Sequence, residues 1–117
     1  MKLKDLQVYI RLFELALSVS EVSLRFPKFE LYELGSQVRR SSNSIPANIA
    51  EGFGNKHTNI YSESISRALG ELRETLHHLE IAFRKNYITL EQFKNLEAEY
   101  VVCAKMLFNL DKSIKNH

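Results

Sequence analysis

The sequence predicts an all-α chain folded as an antiparallel, up-down-up-down four-helix bundle, and three observations lead there. Glycine and proline are scarce, at 4 and 2 of 117 residues. Alternating β-branched runs between turn signals, the usual mark of strands, are missing. Apolar residues instead recur at three- and four-residue spacing over long stretches, which is the helical period. The length suits one core, so residues 1–117 read as a single domain.

The first helix is expected from about Lys4 to Leu24. Leu6, Ile10, Phe13, Leu17 and Leu24, with Ser20 filling the gap, form a stripe that reads as the inward seam. A second stripe, Val8, Leu12, Leu15, Val19 and Val22, lies roughly 200° away at about 100° per residue. Every helix of a four-helix bundle is peripheral, so only one stripe can face the core and the other needs a cover. Val8, Leu12, Leu15, Val19 and Val22 are therefore the expected interface of an oligomer.

Pro27 ends that helix and suits the opening turn of the next. Leu34, Val38, Ile45 and Ile49 give the second helix its inward seam, and Gly52 or Gly54 can supply its left-handed cap. The third helix, from about Thr58 to Lys85, carries Ile65, Leu69, Leu72, Leu76, Leu79 and Phe83 in heptad register. Thr89 caps the fourth, Gln92 reaches back to it, and Ile88 with Phe93 forms a hydrophobic staple. Phe93, Leu96, Tyr100, Cys103, Leu107, Leu110 and Ile114 then follow in unbroken steps. Short connections make sequential helices antiparallel neighbours.

Residues 39–54, RRSSNSIPANIAEGFG, need a separate account. Pro46 inside a helix removes one amide donor and clashes with the carbonyl of Ser42, at a cost of about 3 kcal/mol unless compensated. A kink at Pro46, with nearby Ser and Asn re-satisfying the freed carbonyl, is the expected compensation. Ser41, Ser42, Ser44, Ala47 and Ala50 keep the surface shallow, so another helix can come close. Arg40, Ser44, Asn48 and Glu51 follow at steps of four, four and three as one polar stripe, in which Glu51 is expected to pair with Arg40.

Known chemistries find little support. A di-metal bundle site needs a Glu-x-x-His from each of two helices, and the chain has one, Glu74 with His77. Adjacent His77 and His78 point about 100° apart and cannot chelate one ion together. GFGN lacks the preceding strand and the following Gly-Lys-Ser/Thr of a phosphate loop. Cys103 lies within an apolar seam, where desolvation keeps a thiol inert. No catalytic residue, metal or cofactor is expected, and the protein reads as a non-enzyme. The single cysteine and the charge-studded start MKLKDLQVYIRLFE fit a cytoplasmic protein, and no apolar run could span a membrane.

The stretch FPKFELYELGSQVRRSSNSIPANIAEGFG resembles the signature of the four-helix-bundle proteins encoded in bacterial 23S rRNA intervening sequences. The matching residues are Phe26-Pro27, Glu30, Leu34, Gln37, Arg39-Arg40, Ser44-Ile45 and Asn48-Ile49-Ala50-Glu51-Gly52. Gly70, Glu74, Ile81-Ala82 and Tyr87-Ile88 continue the likeness. Ser41 and Ser42 stand where that family commonly has alanine, and Glu71 where it commonly has serine. The resemblance implies a ring-shaped homo-oligomer, a pentamer. It also points to the accessory protein of diversity-generating retroelements, which partners a reverse transcriptase and binds nucleic acid. For the rRNA-associated branch it implies no settled activity.

Two functions from different classes stay open. As a nucleic-acid-binding module, the chain would contact phosphates through Arg39, Arg40, Lys56, His57, Arg67, Arg73, Arg84 and Lys85, multiplied by ring symmetry. Against this, Glu63, Glu71, Glu74 and Glu80 interleave with the bases, and 16 Lys+Arg against 14 Asp+Glu leave a net charge of only +2. As a protein-interaction scaffold, the ring would dock a partner protein, with the Arg40–Ser44–Asn48–Glu51 stripe as subunit contact or docking surface.

Overall fold

The computed structural model describes residues 1–116 and turns the apolar periodicity into four helices. A 3-10 turn at Leu3–Asp5 leads into α1 (Gln7–Ser23), and a second at Lys28–Glu30 precedes α2 (Leu34–Gly52). α3 (Thr58–Arg84) and α4 (Leu90–Lys115) follow, and no strand occurs among the described residues. α2 lies against α1 and α3, α4 lies against α3, and α1 touches α4, so the helices close around one core. The molecule measures 47 × 24 × 20 Å.

The two stripes of α1 are exchanged relative to the sequence expectation. Val8, Leu12, Leu15 and Val19 are buried in the core of their own chain, and Val22 is half-buried against it. They are therefore not an oligomer interface. Ile10, Phe13, Leu17 and Leu24, expected inside, are 37%, 47%, 53% and 62% exposed. The reason lies in the neighbours of each stripe. Ala16 and Ser23 share the buried face, whereas Glu14 and Glu21 lie about 20–60° from the Ile10–Leu17 line on a helical projection. Turning that line inward would desolvate two carboxylates.

α2 begins later than Pro27 suggested. The intervening segment is held by tertiary bonds that compete with helix: the Arg39 guanidinium donates to the Leu31 carbonyl at 2.7 Å and to Ser23 Oγ at 2.9 Å. Once started, α2 runs unbroken through the buried Pro46. The expected repair of the Ser42 carbonyl is absent among the described residues. Ser41, Ser42 and Ser44 donate instead to the carbonyls of Val38, Arg39 and Arg40, and Asn48 to that of Ser44.

Between α2 and α3 the two glycines divide the work. Gly54, at φ +67°, takes the left-handed conformation, so it, and not Gly52, is the cap. Gly52 is the last residue of α2, buried, and a methyl group there would overlap the Ser64 side chain of α3. α3 ends in a Schellman motif that the sequence reading missed. Asn86 adopts φ +65°, its amide bonds the Phe83 carbonyl, and the Tyr87 amide bonds that of Ala82. Thr89 and Gln92 form the expected reciprocal cap of α4, at 3.1 and 2.8 Å, beside buried Ile88 and Phe93.

Inside, Leu34, Val38, Ile45, Ile49, Ile65, Leu69, Leu72, Leu79, Phe93, Tyr100, Cys103 and Leu107 meet as anticipated. Phe83 stacks on Phe93 at 5.5 Å. Burial pushes the Cys103 thiol up to about 11, with nearby Glu99 adding to the effect and Arg11 opposing it. Gly52→Ala should cost about 1–3 kcal/mol, the usual penalty for overpacking, read as a lowered midpoint in urea with the slope unchanged.

Candidate functional site

Adjacent Arg39 and Arg40 diverge by about 100° on α2, and this separates two polar assemblies. Arg39 turns back beneath the α1–α2 connection, where its two bonds lock Ser23 and Leu31 in place. Nearby, Glu30 is only 6% exposed. It accepts from Tyr87 Oη at 2.8 Å and from Lys85 Nζ at 3.2 Å, while Phe26 packs on the Tyr87 ring at 5.5 Å. The Tyr87 bond holds the Glu30 carboxyl below its ordinary value, against the opposing effect of desolvation and with help from Lys85. Glu30 is the buried anchor tying the first connection to the last.

Arg40 faces α3. Its guanidinium bonds Glu71 Oε2 at 3.2 Å and also Glu74, and His78 Nε2 approaches the same Glu74 oxygen at 3.2 Å. Partial burial pushes the Glu74 carboxyl up, and the bonds from His78 and Arg40 outweigh it, so the group stays below its ordinary value. Behind this cluster Thr75 Oγ1 donates to Ser41 Oγ at 2.8 Å, both residues fully buried. Further along, Arg67 Nε reaches Asn48 Oδ1 at 3.4 Å. Of the three departures from the resemblance, Ser41 and Glu71 have partners across the α2–α3 contact, whereas Ser42 bonds within α2.

The polar stripe is only partly as expected. Ser44 and Asn48 are tied along α2 by backbone bonds, whereas Glu51 is exposed and has no ion pair among the described residues. Its expected partner Arg40 is committed to α3. Glu74 is engaged with Arg40 and His78 rather than with His77, and no group of three or more His, Cys, Asp or Glu is arranged to hold a metal ion among the described residues.

The basic residues do not gather on one surface. Arg39 is internal, and Arg40 pairs with Glu71 and Glu74. Arg67 meets Glu63 at 3.8 Å, Arg84 meets Glu80 at 2.9 Å, and Lys85 meets Glu30. Lys56 and Arg73 have no ion pair among the described residues. Arg67 lies on the α2 side of α3, whereas Arg73 lines a groove on the α4 side.

Apolar surface is left outside in several places among the described residues, two of them beside grooves between helices. Phe13 and Leu17 stand beside Asn43, Pro46 and Ala47 of α2 around a cleft of about 190 Å³. A second groove, about 270 Å³, runs between α3 and α4 past Leu76, Val101 and Phe108. The sequence reading missed the groove because α4 was searched only for its inward seam. Val101 and Phe108, 42% and 59% exposed, form a readable second stripe along it with Ala104.

Arg39→Ala should cost about 2–3 kcal/mol, since hydrogen bonds to a charged group are worth about 1.5–3. Arg40→Ala, on a solvent-screened pair, should cost under about 1; urea denaturation compares them. Acid should also weaken the fold. Carboxyls held low stabilise fully above the ordinary Glu value of 4.5 and progressively less as pH falls through their lower folded-state values. Glu30→Gln should flatten that acid limb.

No curated protein matches the chain. Among solved structures it is similar to a protein of unknown function from the S23 ribosomal protein family of Bacteroides thetaiotaomicron. The two share 28% identity at a TM-score of 0.78, over 90% of this chain and 98% of the other. Residues 4–109 match the model of the 23S rRNA-intervening sequence proteins, and the chain belongs to that family.

Proposed function

We propose that the protein is a non-enzymatic, homo-oligomeric scaffold whose antiparallel bundles assemble side by side into a closed ring, a pentamer by family resemblance. One observation carries this reading: α1 keeps Ile10, Phe13, Leu17 and Leu24 in solvent while its other face fills the core. That line is about 20 Å long at 1.5 Å per residue, and an apolar stripe of this kind marks an interaction surface. The antiparallel arrangement is supported by the cross-helix pairs Arg40–Glu74 and Ser41–Thr75 at one level and Asn48–Arg67 at another, between which the α3 number falls as the α2 number rises.

Docking of a partner protein is favoured over phosphate binding because five of the eight candidate bases (Arg39, Arg40, Arg67, Arg84 and Lys85) are already bonded within the chain. Nucleic-acid contact retains Lys56, His57 and Arg73, and a salt titration separates the readings, since phosphate binding falls steeply with log salt.

Light scattering should give a mass well above the 13.6 kDa of one chain. Leu17→Asp should return it to one chain with helical circular dichroism intact. A wild-type monomer across the micromolar range would overturn the oligomer.

A further inference from the structure

The exposed α1 stripe and the α3–α4 groove have properties that suit each other. The stripe lies in solvent and the groove is concave. Leu69, Leu72, Leu76, Val101, Ala104 and Phe108 line it, over seven residues of each helix, about 10.5 Å. Ile10 to Leu17 spans the same length. Their charges are opposite. Glu14 and Glu21 border the stripe, Arg73 and Lys105 stand at the groove, and none of these four has an ion pair among the described residues.

The two surfaces also lie on opposite sides of the bundle. Helix contacts run α1–α2, α2–α3, α3–α4 and α4–α1. Phe13 and Leu17 share their cleft with α2, which places the stripe on the α1–α2 side, across from α3–α4.

We propose that the occupant of the groove is the α1 stripe of a second copy of this chain, with Glu14 and Glu21 facing the partner's Arg73 and Lys105. This rests on the oligomer reading above and names its interface. Such a contact is heterologous, joining different patches, and repeated side by side it closes a ring when the rotation between copies allows. Pairing stripe with stripe would instead bring the acids of two copies together and leave the groove uncovered.

Charge exchange tests it. Glu14→Lys with Glu21→Lys, and separately Arg73→Glu with Lys105→Glu, should each raise the concentration for half-assembly at least about tenfold, since like charges across an interface cost more than 1.4 kcal/mol. Combining all four changes in one chain should restore assembly, because every stripe–groove junction then carries opposite charges again whatever the number of copies in the ring. All four positions are exposed, and circular dichroism checks the fold. Phe108→Ser, a milder change in the groove, should weaken assembly in the same direction.

Wild-type assembly that survives both Arg73→Glu with Lys105→Glu and Phe108→Ser would overturn the groove as the partner surface and leave the oligomer standing. Failure of the fourfold variant to assemble would overturn the charge pairing. A wild-type monomer would overturn the oligomer itself.

Discussion

The separation of α2 and α3 is set by the lack of side-chain bulk between them, and the polar architecture follows from it. Gly52 has no room for a methyl group against Ser64. Ser41 and Thr75 meet hydroxyl to hydroxyl in a site without solvent. At such close approach, every buried polar group must find a partner inside the contact. The serines of α2 satisfy themselves on carbonyls three or four residues back, so the helix brings no orphan hydroxyl to its neighbour. The short gap is also what lets Arg40 reach Glu71 and Glu74.

Seen in this light, the most recognisable stretch of the chain is largely structural. Phe26, Glu30 and Arg39 make the first connection rigid, and Tyr87 and Lys85 fasten it to the last. A buried carboxylate is costly alone and tolerable when several donors hold it; here a phenol and an ammonium do so. The rigidity has an outward consequence. Phe29 and Tyr32, 71% and 83% exposed, are carried on a segment whose buried members are held by these bonds.

α1 shows how little amphipathicity alone decides. Both of its stripes are apolar at helical spacing, and counting apolar residues cannot rank them. What ranks them is the border. A helix rotates until its charges reach water, and Glu14 and Glu21 take the Ile10–Phe13–Leu17 line out with them. That line stands in solvent with the two carboxylates along one edge.

The helix count, the inward seams of α2, α3 and α4, the Thr89–Gln92 cap and the inert Cys103 were all legible in the sequence. Each depends on residues close in the chain, through the helical period, a local hydrogen bond or the polarity of one seam. The orientation of α1, the late start of α2, the division of labour between Gly52 and Gly54 and the fates of Arg39, Arg40 and Glu51 were decided only in the tertiary structure. Those depend on what stands opposite. Arg39 finds a carbonyl and a hydroxyl, Arg40 finds two carboxylates on α3, and Glu51 finds water. Local sequence sets which faces a helix can offer, and the desolvation cost of whatever borders each face determines which one is buried.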